Sequence, residues 1–326
     1  MNSTKATKPA KADKAKAKSK ETHINSNNKS DHAASRRHII TTLVFAILTI
    51  LLVYSHAETY MLRVVYYEFA SPQVPMEFEG TTIALITDIH HGWSFSQERV
   101  RKIVEQVNAL HPDLIALGGD YILYDTTTKY ADSCFLELAK LEAPLGCFAV
   151  LGNHDYEDWE KKDNPHQPYV YNPFLRDPKY MKDVISKSGI ELLDNHGVWI
   201  NKNGARFRLG GVGDYKEGLP SLAATLHGTK SSDLVILLSH HPDFAQKISP
   251  QTVDLMLSGH THGGQLTFFG LWAPYTSSDS RQKYRSGVNQ DDDVTVIVSN
   301  GIGTSSFLAL RFFARPQIVM ITLQHM

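Results

Sequence analysis

The stretch Leu257 to Leu266, LSGHTHGGQL, sets two histidines one residue apart between Gly259 and the pair Gly263-Gly264. Imidazoles bind metals and carry protons near neutrality, and flanking glycines permit a sharp loop and close backbone approach to a ligand. The preceding run, Val253-Asp254-Leu255-Met256-Leu257, is short, mostly apolar and bounded by turn residues, which predicts a buried strand. Extended backbone alternates faces, so His260 and His262 are expected to point the same way just beyond it. Taken alone, the HxH pair is as consistent with a polar turn as with two ligands.

Four further clusters change that balance: Thr87-Asp88-Ile89-His90-His91-Gly92, Gly118-Gly119-Asp120, Gly152-Asn153-His154-Asp155 and Ser239-His240-His241-Pro242-Asp243. Singly, each reads as a helix cap or a turn. Each also follows an apolar run, and ligands of open α/β sheets sit beyond the carboxyl ends of strands. So many oxygen and nitrogen donors at the edge of one core are costly unpaired, whereas a pair of divalent cations satisfies them together.

In this order, the five clusters resemble the signature of the calcineurin-like metallophosphoesterases, over roughly Thr81 to the C-terminus. The resemblance implies an α/β fold, a four-layer sandwich of two mixed β-sheets flanked by helices. It implies two metal ions, one held by Asp88, His90, Asp120 and His262, the other by Asp120, Asn153, His240 and His260. His154 becomes the acid that helps the leaving oxygen depart, with Asp155 beside it. Carboxylate, amide and imidazole donors suit manganese, iron or zinc better than calcium. Gln265 closes a GHTHGGQ extension that resembles the membrane-associated branch of the family and is expected to brace the loop. His91 and His241 each follow an expected ligand, so alternation aims them away, to the surface or the substrate rim. Many relatives carry an arginine where Asn300 stands; Arg311 or Arg315 either compensates or faces solvent.

The elements that must position these residues alternate. Strands are expected at Thr82 to Ile86, Asp113 to Leu117 and Cys147 to Leu151, then at Phe207 to Val212, Leu234 to Leu238, Val253 to Leu257, Val294 to Val298 and Ile318 to Leu323. Val100, Ile103, Val104, Val107 and Leu110 fall at helical spacing, and a second helix is expected through Leu136, Leu138 and Leu141. This rhythm is that of an α/β fold. The irregular segment 159–180, rich in Pro, Tyr and Lys, is expected either to form a lip over the site or to be a solvated insertion. Cys134 and Cys147 do not have metal-binding spacing, and free thiols or a single pair both suit them.

Ahead of this domain, residues 1–37 carry eight lysines and two arginines against three acids, a basic and disordered tail. Residues 38–57 form a transmembrane or twin-arginine-type signal segment and 58–80 a linker, leaving 81–326 as the phosphoesterase domain. The 19 residues from Ile39 to Ala57 contain no Asp, Glu, Lys or Arg, enough to span a bilayer core as a helix. Basic residues held in the cytoplasm place the domain on the other side, membrane-anchored or released by cleavage near Ala57. Ser35-Arg36-Arg37-His38-Ile39-Ile40 has the form of a twin-arginine signal. The membrane-associated branch includes enzymes that cleave UDP-2,3-diacylglucosamine in lipid A synthesis and general phosphodiesterases. The expected substrate is therefore a phosphate ester, lipid-linked in the first reading and a cell-envelope phosphodiester in the second. That nucleotide lipid is made on the cytoplasmic side, so resemblance and topology pull apart. An intact ligand set argues against a non-catalytic scaffold, and export against a nuclease or any nucleic-acid partner.

Overall fold

In the computed structural model, residues 35–123, 128–156, 159–161, 169–171, 178–305 and 309–326 are described. The basic tail expected over 1–37 falls almost wholly outside them, as do the side chains of most of the 159–180 segment. Two compact units divide between Tyr54 and Ser55. Nearly all of the apolar helix α1 (Ser35–Glu58) lies in the first, and it is long and apolar enough to cross a membrane. Its large apolar side chains, Phe45, Leu48 and Leu52 among them, are exposed.

The second unit, Ser55–Met326, is built on two six-stranded mixed sheets. The first sheet runs β1 (Arg63–Ser71), β14 (Gln317–His325), β2 (Thr82–Ile86), β3 (Leu114–Leu117), β4 (Cys147–Ala149) and β7 (Glu191–Leu192). The second runs β12 (Gly287–Asp291), β13 (Val294–Val298), β11 (Leu255–Ser258), β10 (Val235–Leu238), β9 (Ala205–Gly211) and β8 (His196–Lys202). A small antiparallel pair, β5 (Trp159–Lys161) and β6 (Tyr169–Tyr171), stands apart.

Inner-facing residues of both sheets, including Leu85, Ile83, Ile236, Leu238, Leu257 and Val319, form one core cluster. Each such side chain contributes about 1.5–3 kcal/mol on full burial. On the outer face of the first sheet pack α2 (Gln97–Ala109), α3 (Lys129–Leu138) and α4 (Lys179–Lys187). α2 buries Val100, Ile103, Val104 and Val107, the stripe its spacing predicts. α3 turns differently from expectation: Ala131, Cys134, Phe135 and Leu138 are buried and Leu136 is exposed, because that stripe recurs at i, i+3, i+4, i+7. The fourth layer is thin, consisting of α5 (Leu222–Thr225) and a 3₁₀ segment at Pro242–Lys247 over Val235, Leu237 and Met256.

The stretch 58–80, expected as a linker, carries β1, which pairs in parallel with β14 from Arg63–Gln317 to Ser71–His325. Both thiols are free, Cys134 buried and Cys147 half-buried.

Strands β2, β3 and β4 are mutually parallel, as are β10 and β11. All five clusters therefore leave the carboxyl ends of parallel strands, three from one sheet and two from the other.

Candidate metal centre

Backbone pairing continues past the strands and fixes the loops before any ligand is considered. Asp88 N donates to Gly119 O (2.9 Å) and His90 N to Asp120 O (3.0 Å), carrying the β2–β3 ladder into the site. The second sheet is tied across by His260 N, which donates to both oxygens of Asp88 (3.0 and 3.1 Å). Gly259 makes this approach possible: a Cβ there would overlap the Asp88 carboxylate and the Thr87 hydroxyl.

The loops are not extended. Asp88, His90, Asp120, His260 and His262 all have positive φ, between 48° and 68°. For non-glycine residues this left-handed conformation costs on the order of 1–3 kcal/mol each and clusters at functional sites. The expectation that strand alternation aligns His260 and His262 is thus corrected, since β11 ends at Ser258 and both histidines sit in left-handed turns. They reach one centre but different partners.

His262 Nε2 lies 3.0 Å from His90 Nε2 and 3.4 Å from Asp88 Oδ1, and His90 Nε2 lies 3.6 Å from Asp120 Oδ2. His240 Nε2 lies 3.1 Å from Asp120 Oδ2, and His260 Nδ1 3.3 Å from His240 Nε2. Two donor groups result, Asp88–His90–His262 and Asp120–His240–His260, each within 4.8 Å internally. Asp120 faces histidines of both groups. A third such group joins His154 to His90 and Asp120, so its imidazole stands nearer the donors than a purely peripheral acid needs. Its backbone N donates to Asp120 Oδ1 (2.8 Å) and its ring packs edge-on against His90. Asn153 belongs to the same 3₁₀ turn, with its Oδ1 buried and unpartnered.

Hydrogen bonds behind the ligands set the tautomers. His240 Nδ1 donates to Gly118 O (2.8 Å) and His260 Nε2 to Ser277 O (3.1 Å), which turns the other nitrogen of each ring inward. Burial pushes His90 and His260 down to about 3, and lowers His262 as well. These rings are neutral and offer lone pairs. Burial likewise raises Asp88 to about 6, with the Asp120 carboxylate adding to it against His240. His240 is the exception: burial disfavours its charge, but the Asp120 carboxylate more than reverses this and holds it up at about 10.

The donor set fits a pair of divalent cations. Two buried carboxylates, imidazole nitrogens 3.0 and 3.3 Å apart and the unpartnered Asn153 Oδ1 are poorly satisfied by one another. Positive ions between them satisfy them together.

The roles of several supporting residues were not legible in the sequence. The buried Asp155 carboxylate accepts from Asp120 N and Gly152 N (both 2.8 Å) and from Tyr121 N (2.9 Å), clamping two site loops together. Arg311 is fully buried and does not face solvent; its guanidinium donates to Ala314 O (2.6 Å), Asn300 O (2.8 Å) and Gly303 O (2.5 Å). Both Nη2 hydrogens are thereby used, so the 3.3 Å approach of that nitrogen to His262 Nδ1 is a packing contact that holds the ring. Arg315 is exposed, and Asn300 Oδ1 accepts from Ser286.

His91 and His241 are not on the surface. His91 is buried between Phe95 O (2.6 Å) and Ser133 Oγ (2.7 Å). His241 is buried with its ring 3.5 Å, centroid to centroid, from that of His260. Alternation misplaces both because the neighbouring backbone turns. Gln265 accepts from Ser305 N through Oε1 (3.1 Å), which braces the loop as expected.

A family model of the calcineurin-like phosphoesterases matches residues 81–264. An uncharacterized metallophosphoesterase of Aquifex aeolicus is 32% identical over 83% of this chain and 95% of its own length. The phosphodiesterase YaeI of Escherichia coli is 28% identical over 74% and 81%. The UDP-2,3-diacylglucosamine pyrophosphatase LpxG of Chlamydia muridarum is 24% identical over 82% and 91%.

Proposed function

This chain belongs to the calcineurin-like phosphoesterases and is a metal-dependent hydrolase using two divalent ions, and we propose that it cleaves a lipid-linked phosphodiester or pyrophosphate at a membrane. The observation that carries the chemistry is the pair of buried donor groups facing Asp120. Asp88, His90, Asp120 and His262 would hold one ion, and Asp120, Asn153, His240 and His260 the other. When bound, such ions neutralise phosphate oxygens and supply hydroxide at neutral pH.

The chain's own part is positioning and proton transfer. Asp155 and the β2–β3 ladder hold Asp88, Asp120 and Asn153 in place. His154, half-exposed at the mouth and steadied by its backbone bond to Asp120, gives a proton from its ring to the departing oxygen. Manganese, iron and zinc all suit the donors.

For the substrate, the likeness to LpxG and the apolar helix α1 support a nucleotide lipid such as UDP-2,3-diacylglucosamine. Arg36-Arg37 in the first turn of that helix supports a second reading, an exported phosphodiesterase acting on envelope phosphates, anchored or cleaved near Ala57. The full chain in detergent with manganese, offered the nucleotide lipid beside a chromogenic phosphodiester, separates the two. Metal-dependent release of UMP supports the first; turnover of the simple diester alone supports the second. Asp120→Asn is expected to abolish turnover and lose metal, whereas His154→Ala keeps nearly all its metal and slows poor leaving groups. Equal metal loss in both variants would contradict those roles.

A further inference from the structure

Beyond His262 the chain runs into a hairpin whose tip is made of exposed rings. Phe268 N donates to Trp272 O, Leu271 N to Phe268 O and Gly270 N to Thr267 Oγ1, with Phe269 and Gly270 both at positive φ. This ordered turn leaves Phe268, Phe269, Leu271 and Trp272 exposed by 61, 68, 85 and 48%. Single exposed apolar residues are ordinary, but a contiguous patch marks an interaction surface. The rings hold one another: Phe268 packs on Trp272 (5.6 Å between centroids), Phe269 on Phe313 (5.1 Å) and Phe313 on Phe312 (4.8 Å).

A second observation says what covers it. The hairpin is fastened to the 309–314 loop through Thr267 N donating to Phe312 O and Phe312 N to Gln265 O. The same loop receives the chain as it enters this unit: Ser55 O accepts from Arg311 N (2.8 Å), and the buried Glu58 carboxylate accepts from Phe313 N (2.8 Å) and Ala314 N (2.7 Å). Ser55 and Glu58 are thus bonded into this unit, so of the expected membrane segment 38–57 only the part up to Tyr54 is left for the bilayer, and the loop that carries Phe312 and Phe313 stands where the chain leaves it.

We infer that the Phe268–Trp272 hairpin tip, with Phe313 beside it, is a membrane-docking surface that inserts into the lipid interface and keeps the His260–His262 loop close to membrane-borne substrate. The inference rests on reading 38–57 as a membrane segment. Tryptophan and other aromatic rings favour that interfacial depth, and Arg315, exposed two residues past Phe313, suits anionic headgroups. Docking gives a lipid-linked phosphoester a short path to the centre and leaves a small soluble diester unaffected.

The test uses the full chain reconstituted into phosphatidylcholine–phosphatidylglycerol vesicles brominated at shallow acyl positions. Flotation reports anchoring, and tryptophan quenching reports depth. Wild type and Trp272→Phe are expected to float alike, with the quenchable emission falling by about half or more in Trp272→Phe. Phe269→Glu is expected to raise the apparent KM for a vesicle-embedded lipid phosphodiester about tenfold while leaving a soluble chromogenic diester unchanged. Flotation with equal quenching in wild type and Trp272→Phe overturns the docking surface and spares the anchor. Failure to float overturns both. Conversion of a dimer to a monomer by Phe269→Glu, with quenching unchanged, assigns the patch to a second copy and also overturns it.

Discussion

Replacing Asp155 by asparagine removes an acceptor that three buried backbone donors share. Oδ2 takes Asp120 N and Gly152 N, and Oδ1 takes Tyr121 N. Asparagine has the same size, but one end of its amide is itself a donor. Whichever way it turns, at least one buried N–H loses its acceptor and meets another donor, at a cost of about 1–3 kcal/mol. The surviving bonds lose their charge-assisted character, about 1 kcal/mol each. Against this, burial and then the nearby Asp120 carboxylate push the Asp155 carboxyl up to about 8, so its charge is only partly held at neutral pH and removing it returns part of the loss. The net expectation is a destabilisation of about 2–4 kcal/mol, a large share of a domain stability of about 5–15 kcal/mol. The clamp also sets the spacing of Asp120 and Asn153, so metal affinity falls with it. Urea unfolding with and without manganese, together with titration calorimetry, measures both quantities. An Asp155→Asn protein within about 0.5 kcal/mol of wild type, binding manganese with unchanged affinity, would refute the reasoning.

Gly259→Ala places a methyl group on the Asp88 carboxylate, which His260 N already holds. It is expected to cost about 1–3 kcal/mol as an overpacked site and to lower bound metal, read by elemental analysis; full metal occupancy sinks the argument. Chelation strips the charges that offset Asp88 and Asp120, both buried. With each ion at about a hundred times its Kd, two sites account for about 5 kcal/mol, or about 10–20 °C in Tm. A melting curve indifferent to chelator rules out ions bound at these residues.

Much of the molecule is legible before folding. The apolar stripe of α2 and the whole of β13 follow from pattern, α2 because it buries one regular face and β13 because it is a short apolar run buried on both sides. Edge strands escape that logic. β1 and β8 show mixed burial, with Tyr66 exposed and Phe69 buried in one, His196 exposed and Gly197 buried in the other. Half-covered edges bury their residues without regular alternation, so periodicity does not separate them from a linker. Arg311 escapes for the opposite reason, since a lone arginine in a loop reads as a surface charge until the carbonyls that surround it are known.

The sequence by itself determined the donors: which carboxylates, imidazoles and amide stand after which strands, and that no cluster is satisfied alone. The tertiary structure decided which donors meet. His90 and His262 are 172 residues apart and come from different sheets, yet their nitrogens lie 3.0 Å from each other. That contact depends on the packing of the two sheets across the Leu85–Leu257 core. It depends equally on the left-handed turns at Asp88, His90, Asp120, His260 and His262. Such turns are costly locally, so spacing along the chain does not reveal them; long-range contacts such as His260 N to Asp88 hold them in place.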